Sequence, residues 1–180
     1  MKSCIFVVDV QNGFVTQSTE HVVKRIESLL NQSIFDFVVF TRFLNTLDSP
    51  WVKFLNWQDL ISEQQRQLAD CLQPFAKVVF DKKAYSSINQ ETIAFLKQNT
   101  IDTVFVCGID TDCCVMATAV DLFEQLIHPY VLAHYSASNG GQESHDAAIR
   151  VLSRLIGTNN VVQEPIDRDS FKILTANTVY

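Results

Sequence analysis

Three kinds of reactive side chain stand where strands of this chain should end. Asp9 closes the apolar run Cys4-Ile5-Phe6-Val7-Val8, Lys82 and Lys83 follow Val78-Val79-Phe80-Asp81, and Cys113 and Cys114 come a short turn beyond Val104-Phe105-Val106-Cys107. A carboxyl group buried at the edge of an apolar strand has a raised pKa, which suits it to take a proton from a thiol and return it to a leaving group. A lysine nearby would oppose that shift and keep the carboxylate ionised. The competing role for Asp9 is a cap on the turn that follows, Val10-Gln11-Asn12-Gly13-Phe14.

The adjacent cysteines are separated by helical geometry. The run from about Asp112 to Ile127 has the period of an amphipathic helix, with Val115, Ala119, Leu122 and Leu126 in one row and Met116, Val120, Phe123 and Ile127 in the next. In its first turn, unpaired N–H groups and the helix dipole favour an anion, so a thiol there should have a lowered pKa and act as a nucleophile at neutral pH. Neighbouring helical residues point about 100° apart, so the two cysteines should not face one pocket. Cys113 falls near the Met116 row and reads as a core residue. Cys114 aligns with Thr118 and Asp121, outside the apolar rows, and reads as the freer thiol.

Bringing these groups together requires strands that end side by side. Apolar runs near Cys4–Asp9, Phe37–Thr41, Lys77–Phe80, Thr103–Cys107, Tyr130–Ala133 and Val161–Gln163 alternate with helical patterns, as in βαβ units. Most are nearly continuous in hydrophobicity, the pattern of strands covered on both faces. The prediction is one α/β domain over residues 1–180, a doubly wound, mostly parallel six-stranded sheet with helices on both faces. Ligands bind such sheets outside the carboxyl ends of the strands, where Asp9, a lysine and a cysteine could meet. Further helices are read at Val22–Leu30, around Leu68, Leu72 and Phe75, around Ile93 and Leu96, and from about Glu143 to Leu155. The last should turn Ala147, Ala148, Val151, Leu152 and Leu155 inward. The longest irregular piece, Arg42–Trp57, follows a strand end and would either line a ligand site or simply cover the sheet.

Composition excludes several classes. A net charge of −6 with scattered Lys and Arg argues against a nucleic-acid surface. Ile5–Val10 is too short to span a bilayer and no signal-peptide pattern precedes it, so neither a membrane partner nor export is expected and the cytoplasm is the expected location. Cys4, Cys71, Cys107, Cys113 and Cys114 form no disulfide framework, and neither they nor His21, His128, His134 and His145 show metal-ligand spacing. A phosphatase loop would need arginine six residues beyond a cysteine, where Ala119 and Val120 stand. Asp110-Thr111-Asp112 lacks the Gly-Thr continuation of a phosphotransfer motif, and the isolated Gly13 and Gly108 make no phosphate loop.

Three blocks of sequence resemble the isochorismatase-like cysteine hydrolases, a superfamily that includes nicotinamidases, N-carbamoylsarcosine amidohydrolase and isochorismatase. Val8-Asp9-Val10-Gln11-Asn12-Gly13-Phe14 is similar to the family's Asp-x-Gln-Asn-x-Phe stretch. Lys82-Lys83-Ala84-Tyr85-Ser86-Ser87-Ile88 resembles Lys-x-x-Tyr-Ser-x-Phe, with Ile88 in place of the aromatic. Gly108 to Thr118 resembles Gly-x-x-Thr-x-x-Cys-Val-x-x-Thr. The resemblance implies a catalytic triad of Asp9, Lys82 and Cys114, and a cis peptide from Ile109 to Asp110 that aims the Asp110 and Cys114 N–H groups at an oxyanion. It implies a small-molecule substrate, no cofactor and, because members commonly assemble, a homo-oligomer. The nicotinamidase metal cluster would fall at Thr41-Arg42-Phe43-Leu44-Asn45-Thr46, which lacks its ligands, so no metal is expected. Arg42 could meet a substrate carboxylate, and Phe14, Trp51 and Tyr85 could wall the pocket. Retention of Cys114 favours amide hydrolysis through a thioester. The rival readings are an isochorismatase-type vinyl ether hydrolase, and a non-catalytic binding or thiol redox protein on the same fold.

Overall fold

A computed structural model describes residues 2–176. Its strands are β1 (Ser3–Val8), β2 (Phe37–Phe43), β3 (Val78–Lys82), β4 (Thr103–Ile109), β5 (His128–Ala137) and β6 (Val161–Val162). They form one sheet in the order β3-β2-β1-β4-β5-β6, and every pairing between them is parallel. From β1 the chain winds outward to β2 and β3, and from β4 the other way to β5 and β6. The β1/β4 junction is therefore the switch point, where a crevice opens at the carboxyl ends of the strands.

Strand alternation builds two cores from nearly unbroken apolar runs. Ile5, Val7, Phe105 and Cys107 face one layer with α1 (Glu20–Asn31) and α7 (Arg168–Ala176). Cys4, Phe6, Val8, Val104 and Val106 face the other, against α4 (Gln90–Gln98), α5 (Met116–Glu124) and α6 (Gln142–Leu155). The remaining α-helices are α2 (Pro50–Leu55) and α3 (Glu63–Arg66), both short.

Several elements differ from the sequence reading for local reasons. The helix expected around Leu68–Phe75 is a 3-10 helix over Asp70–Phe75 containing Pro74, which cannot donate to the helical ladder. The stretch Arg42–Trp57 is more regular than expected. Strand β2 runs through Phe43, and Ser49 caps α2 by accepting the Val52 N–H at 3.2 Å, with Pro50 in the first turn. Helix α6 is rotated so that Ala148, Ile149 and Leu152 are buried while Ala147, Val151 and Leu155 face solvent. In and around α5, Val115, Ala119 and Leu122 are buried as expected, but Phe123 and Leu126 are exposed and Thr118 is buried instead. Helix α7, absent from the sequence reading, seats Phe171 and Leu174 against the first core.

Strand β4 approaches β1 closely where Gly108 pairs with Val8, at a register shift in the β4–β5 ladder. Gly108 has φ +128°, and an added Cβ would lie 2.1 Å from the Val8 carbonyl oxygen. Both the backbone conformation and the contact exclude a side chain. Gly108→Ala is expected to destabilise the protein by about 3 kcal/mol or more, measured by urea unfolding. A loss under about 1 kcal/mol would show that this junction relaxes freely.

Candidate active site

Asp9 is the first residue past β1 and is fully buried. Its φ of +52° lies in the left-handed region, which Asp tolerates better than most residues. Its N–H donates to the Thr41 carbonyl at 3.2 Å, and its own carbonyl accepts the Gln11 N–H at 2.8 Å. The buried Gln11 amide pins this turn to the end of β2. It donates to the carbonyls of Phe43 and Arg66 at 3.1 and 2.9 Å and accepts the Phe43 N–H at 2.7 Å. Asp9 Oδ1 accepts the Thr41 hydroxyl at 2.7 Å. The Thr41 hydroxyl in turn accepts from Ser87 Oγ at 3.3 Å, and the Ser87 N–H donates to Thr118 Oγ1 at 3.0 Å. Buried Thr118 therefore belongs to a polar chain that ends on the carboxylate, which the apolar pattern of α5 could not reveal.

Lys82, the last residue of β3, turns inward, whereas Lys83 faces solvent. Its Nζ donates to the carbonyls of Ala84 and Tyr85 at 2.9 and 3.0 Å and lies 3.4 Å from Cys114 Sγ. It also sits 2.6 Å from Asp9 Oδ2 as an ion pair. That buried oxygen has the ammonium as its ion-pair partner. Burial by itself would lower the Lys82 pKa, but Asp9 and Cys114 beside it outweigh burial and hold it above the ordinary lysine value.

Cys114 departs from its predicted state. The turn that carries it, Thr111–Val115, is a π-helical segment in which the Asp110 carbonyl accepts the N–H groups of both Cys113 and Val115, at 3.2 and 3.0 Å. This wider turn changes the side-chain angles assumed for an α-helix. Cys114 is the buried thiol at 5% exposure and packs on the second core, Cys113 is partly exposed, and both border one pocket. Burial foremost, then the Asp9 charge, push the Cys114 pKa well above the ordinary thiol value against the pull of Lys82. The direction is opposite to the lowered pKa expected from the helix start.

The pocket beside Cys114 encloses about 160 Å³. Its walls are aromatic. Phe14 stacks on Trp57 with centroids 5.8 Å apart, and Trp51 meets Phe43 and Tyr85 edge-on at 4.7 and 5.3 Å. Phe14, Trp51 and Tyr85 are therefore brought to the cluster, joined by Phe43, Leu55 and Trp57, which the sequence did not single out. Arg42 is not brought there. On β2, Thr41 and Phe43 point toward the site and Arg42 to the opposite face, where it pairs with its cross-strand neighbour Asp81 at 2.8 and 3.0 Å.

Asp110 closes the pocket floor, and the Ile109–Asp110 peptide is cis. Its Oδ1 accepts the Asn139 N–H at 2.7 Å and the Asn139 side-chain amide at 2.9 Å, and the same amide nitrogen donates to the Phe14 carbonyl at 3.1 Å. Burial pushes the Asp110 pKa up to about 6, against the opposing hydrogen bonds from Asn139. A carboxyl raised in the folded state binds more protons there than in the unfolded chain, so its stabilising contribution is present below the ordinary Asp range and is lost as pH rises through about 6. Asp110→Asn should remove this slope. A difference in Tm between wild type and variant that stays flat from about pH 4 to 7 would contradict the assignment.

Among the described residues, no three His, Cys, Asp or Glu side chains come together as a metal-binding group, and no helix is long and apolar enough to cross a membrane. The molecule is thus defined as a doubly wound α/β protein with a buried carboxylate, ammonium and thiol at the carboxyl ends of its strands. Residues 3–163 match the isochorismatase domain family, and the chain belongs to that family. It is 25% identical over 179 residues to isochorismatase family protein 2A of Dictyostelium discoideum, covering 93% of this chain and 84% of that one. An isochorismatase-like hydrolase from Alkaliphilus metalliredigens superposes with a TM-score of 0.81 at 19% identity, covering 96% and 98% of the two chains. N-carbamoylsarcosine amidase from Thermoplasma acidophilum gives 0.72 at 25% identity, covering 85% and 94%.

Proposed function

We propose that this isochorismatase-family hydrolase is a cysteine amidohydrolase acting on a small, flat, uncharged amide. The observation that carries the reading is Lys82 Nζ, which lies 2.6 Å from Asp9 Oδ2 and 3.4 Å from Cys114 Sγ in one buried cluster beside an aromatic pocket.

In this mechanism Asp9 accepts the Cys114 proton, and Lys82 stabilises the thiolate as it forms. Sulfur adds to the amide carbonyl carbon, giving a tetrahedral oxyanion held by the Asp110 and Cys114 N–H groups, a stabilisation of about 3 kcal/mol per donor. The Asp110 N–H donates to no group among the described residues, which supports that role. Asp9 returns the proton to the departing nitrogen as the C–N bond breaks, leaving a thioester on Cys114. Water then gives a proton to Asp9 and adds to the thioester, and the acid leaves as the thiol is restored.

The pocket composition favours this reading over its rivals. Of the lining residues only Asp110 is charged, so a carboxylate-bearing vinyl ether would meet a repelling group in the lining, while the nearby Lys82 ammonium is already paired with Asp9. Burial also pushes the Cys113 thiol to about 11, so neither adjacent cysteine offers the ready thiolate of a redox sensor. The similarity to an N-carbamoylsarcosine amidase points the same way.

The test is a panel of uncharged aromatic and heteroaromatic carboxamides, read by ammonia release and by intact mass after acid quench. An acyl adduct mapped to Cys114 is expected. Turnover of a vinyl ether with no adduct, or an adduct on another cysteine, would reject the proposal.

A further inference from the structure

A second cavity, of about 600 Å³, lies between α1, the carboxyl half of β5 and the start of α6. It shares no lining residue with the aromatic pocket. On a chain of net charge −6 it gathers Arg25, Arg150, His21, His134 and His145, with Asp146 the one acidic residue in its lining. Neither arginine forms an ion pair among the described residues. Arg25 spends a single N–H on the His134 carbonyl, at 3.1 Å, and Asp146 accepts from Gln142 at 2.8 Å. Helix α6 opens into the cavity at Gly141 and Gln142, and no side chain caps its first turn. Guanidinium forks, imidazoles and free helix N–H groups are the donors that recognise tetrahedral oxyanions.

We propose that this cavity is a second ligand site that binds a small phosphate-bearing anion. The imidazoles fit that assignment. Burial first, and then the Arg25 charge, hold His21 and His134 below their ordinary value, although Glu20 and Glu164 respectively oppose this. Burial likewise lowers His145, against Asp146 and Asp112. Arg25 lies close enough to His21 and His134 to act on both, so an anion held by its guanidinium would also meet those imidazoles. His145 also shares a 2.8 Å hydrogen bond with Thr111 Oγ1, so an occupant held by His145 would be one hydrogen bond away from the turn that carries Cys114.

The experiment is calorimetric titration of the full chain with inorganic pyrophosphate at low salt, with NMR titration of the histidines. Saturable binding is expected, with the pKa values of His21, His134 and His145 rising. The double variant Arg25→Ala/Arg150→Ala should weaken binding at least about tenfold, because each arginine offers charge-assisted bonds. Arg154→Ala, on α6 but outside the cavity, should leave it unaltered. No binding at millimolar pyrophosphate, equal weakening by Arg154→Ala, or tighter binding of citrate than of pyrophosphate would overturn the assignment. These readouts do not depend on amide turnover.

Discussion

Cys114→Ala is expected to reduce amide turnover by at least about 10³-fold and to abolish the acyl adduct, while leaving substrate binding within a few-fold of wild type. The size of the effect follows from chemistry. Without sulfur no thioester forms, and the remaining groups can only bind the amide and polarise its carbonyl. Cys114→Ser should be nearly as inactive, because a hydroxyl is far harder to deprotonate than a thiol and Asp9 would have to remove that proton in the same buried setting. Both substitutions shrink or preserve side-chain volume at a position bordering the pocket, so folding should survive. The measurement is kcat/KM for the best amide from the panel, alongside intact mass. Retention of a tenth of the activity by the alanine variant would mean that Cys114 is not the nucleophile.

Lys82→Met should have the largest effect on stability. Removing the ammonium that lies 2.6 Å from Asp9 Oδ2 leaves the fully buried carboxylate facing an apolar side chain, and breaking a buried pair in this way costs about 3–5 kcal/mol. For a chain of this size the loss corresponds to a fall in Tm of about 6–20 °C. Asp9→Asn/Lys82→Met removes both charges and should recover much of that stability without recovering turnover. The contrast separates a structural ion pair from a catalytic one. Recovery of activity together with stability would show that the pair merely holds the fold. The pH dependence carries a matching sign. Because the folded-state pKa of Lys82 is raised, its contribution is complete below the ordinary lysine range and is lost as pH rises through the folded value, a decline that Lys82→Met should lack.

The six-stranded, doubly wound sheet and its two cores follow from features visible in the chain, since unbroken apolar runs such as Cys4–Val8 and Thr103–Cys107 are the pattern of strands buried on two faces. Asp9 and Lys82 were legible because polar residues abruptly end such runs. Lys82 could be told from Lys83 only through the spacing of a family pattern, which the inward turn of β3 then explains. Cys114 was singled out, but the geometric reason given for it fails, because a wheel drawn for an α-helix does not describe a π turn. Gln11, Thr118 and Asn139 act through partners far away in sequence, and no periodicity marks a residue whose role is one distant hydrogen bond. Arg42 was misplaced for the opposite reason. Its charge and position after a strand suggested a ligand contact, whereas alternation along β2 sends it to the face where Asp81 waits.

The burial of Cys114 bears on how such a protein would be studied. On the proposed mechanism, a sulfur that becomes a thiolate only when a carbonyl arrives should resist peroxide and electrophiles between turnovers. General alkylating reagents would find Cys71 and Cys113, both more accessible, and report little about activity. Covalent probes for this site need a flat acyl group that first fills the aromatic pocket, and selectivity would then come from the pocket rather than from the warhead.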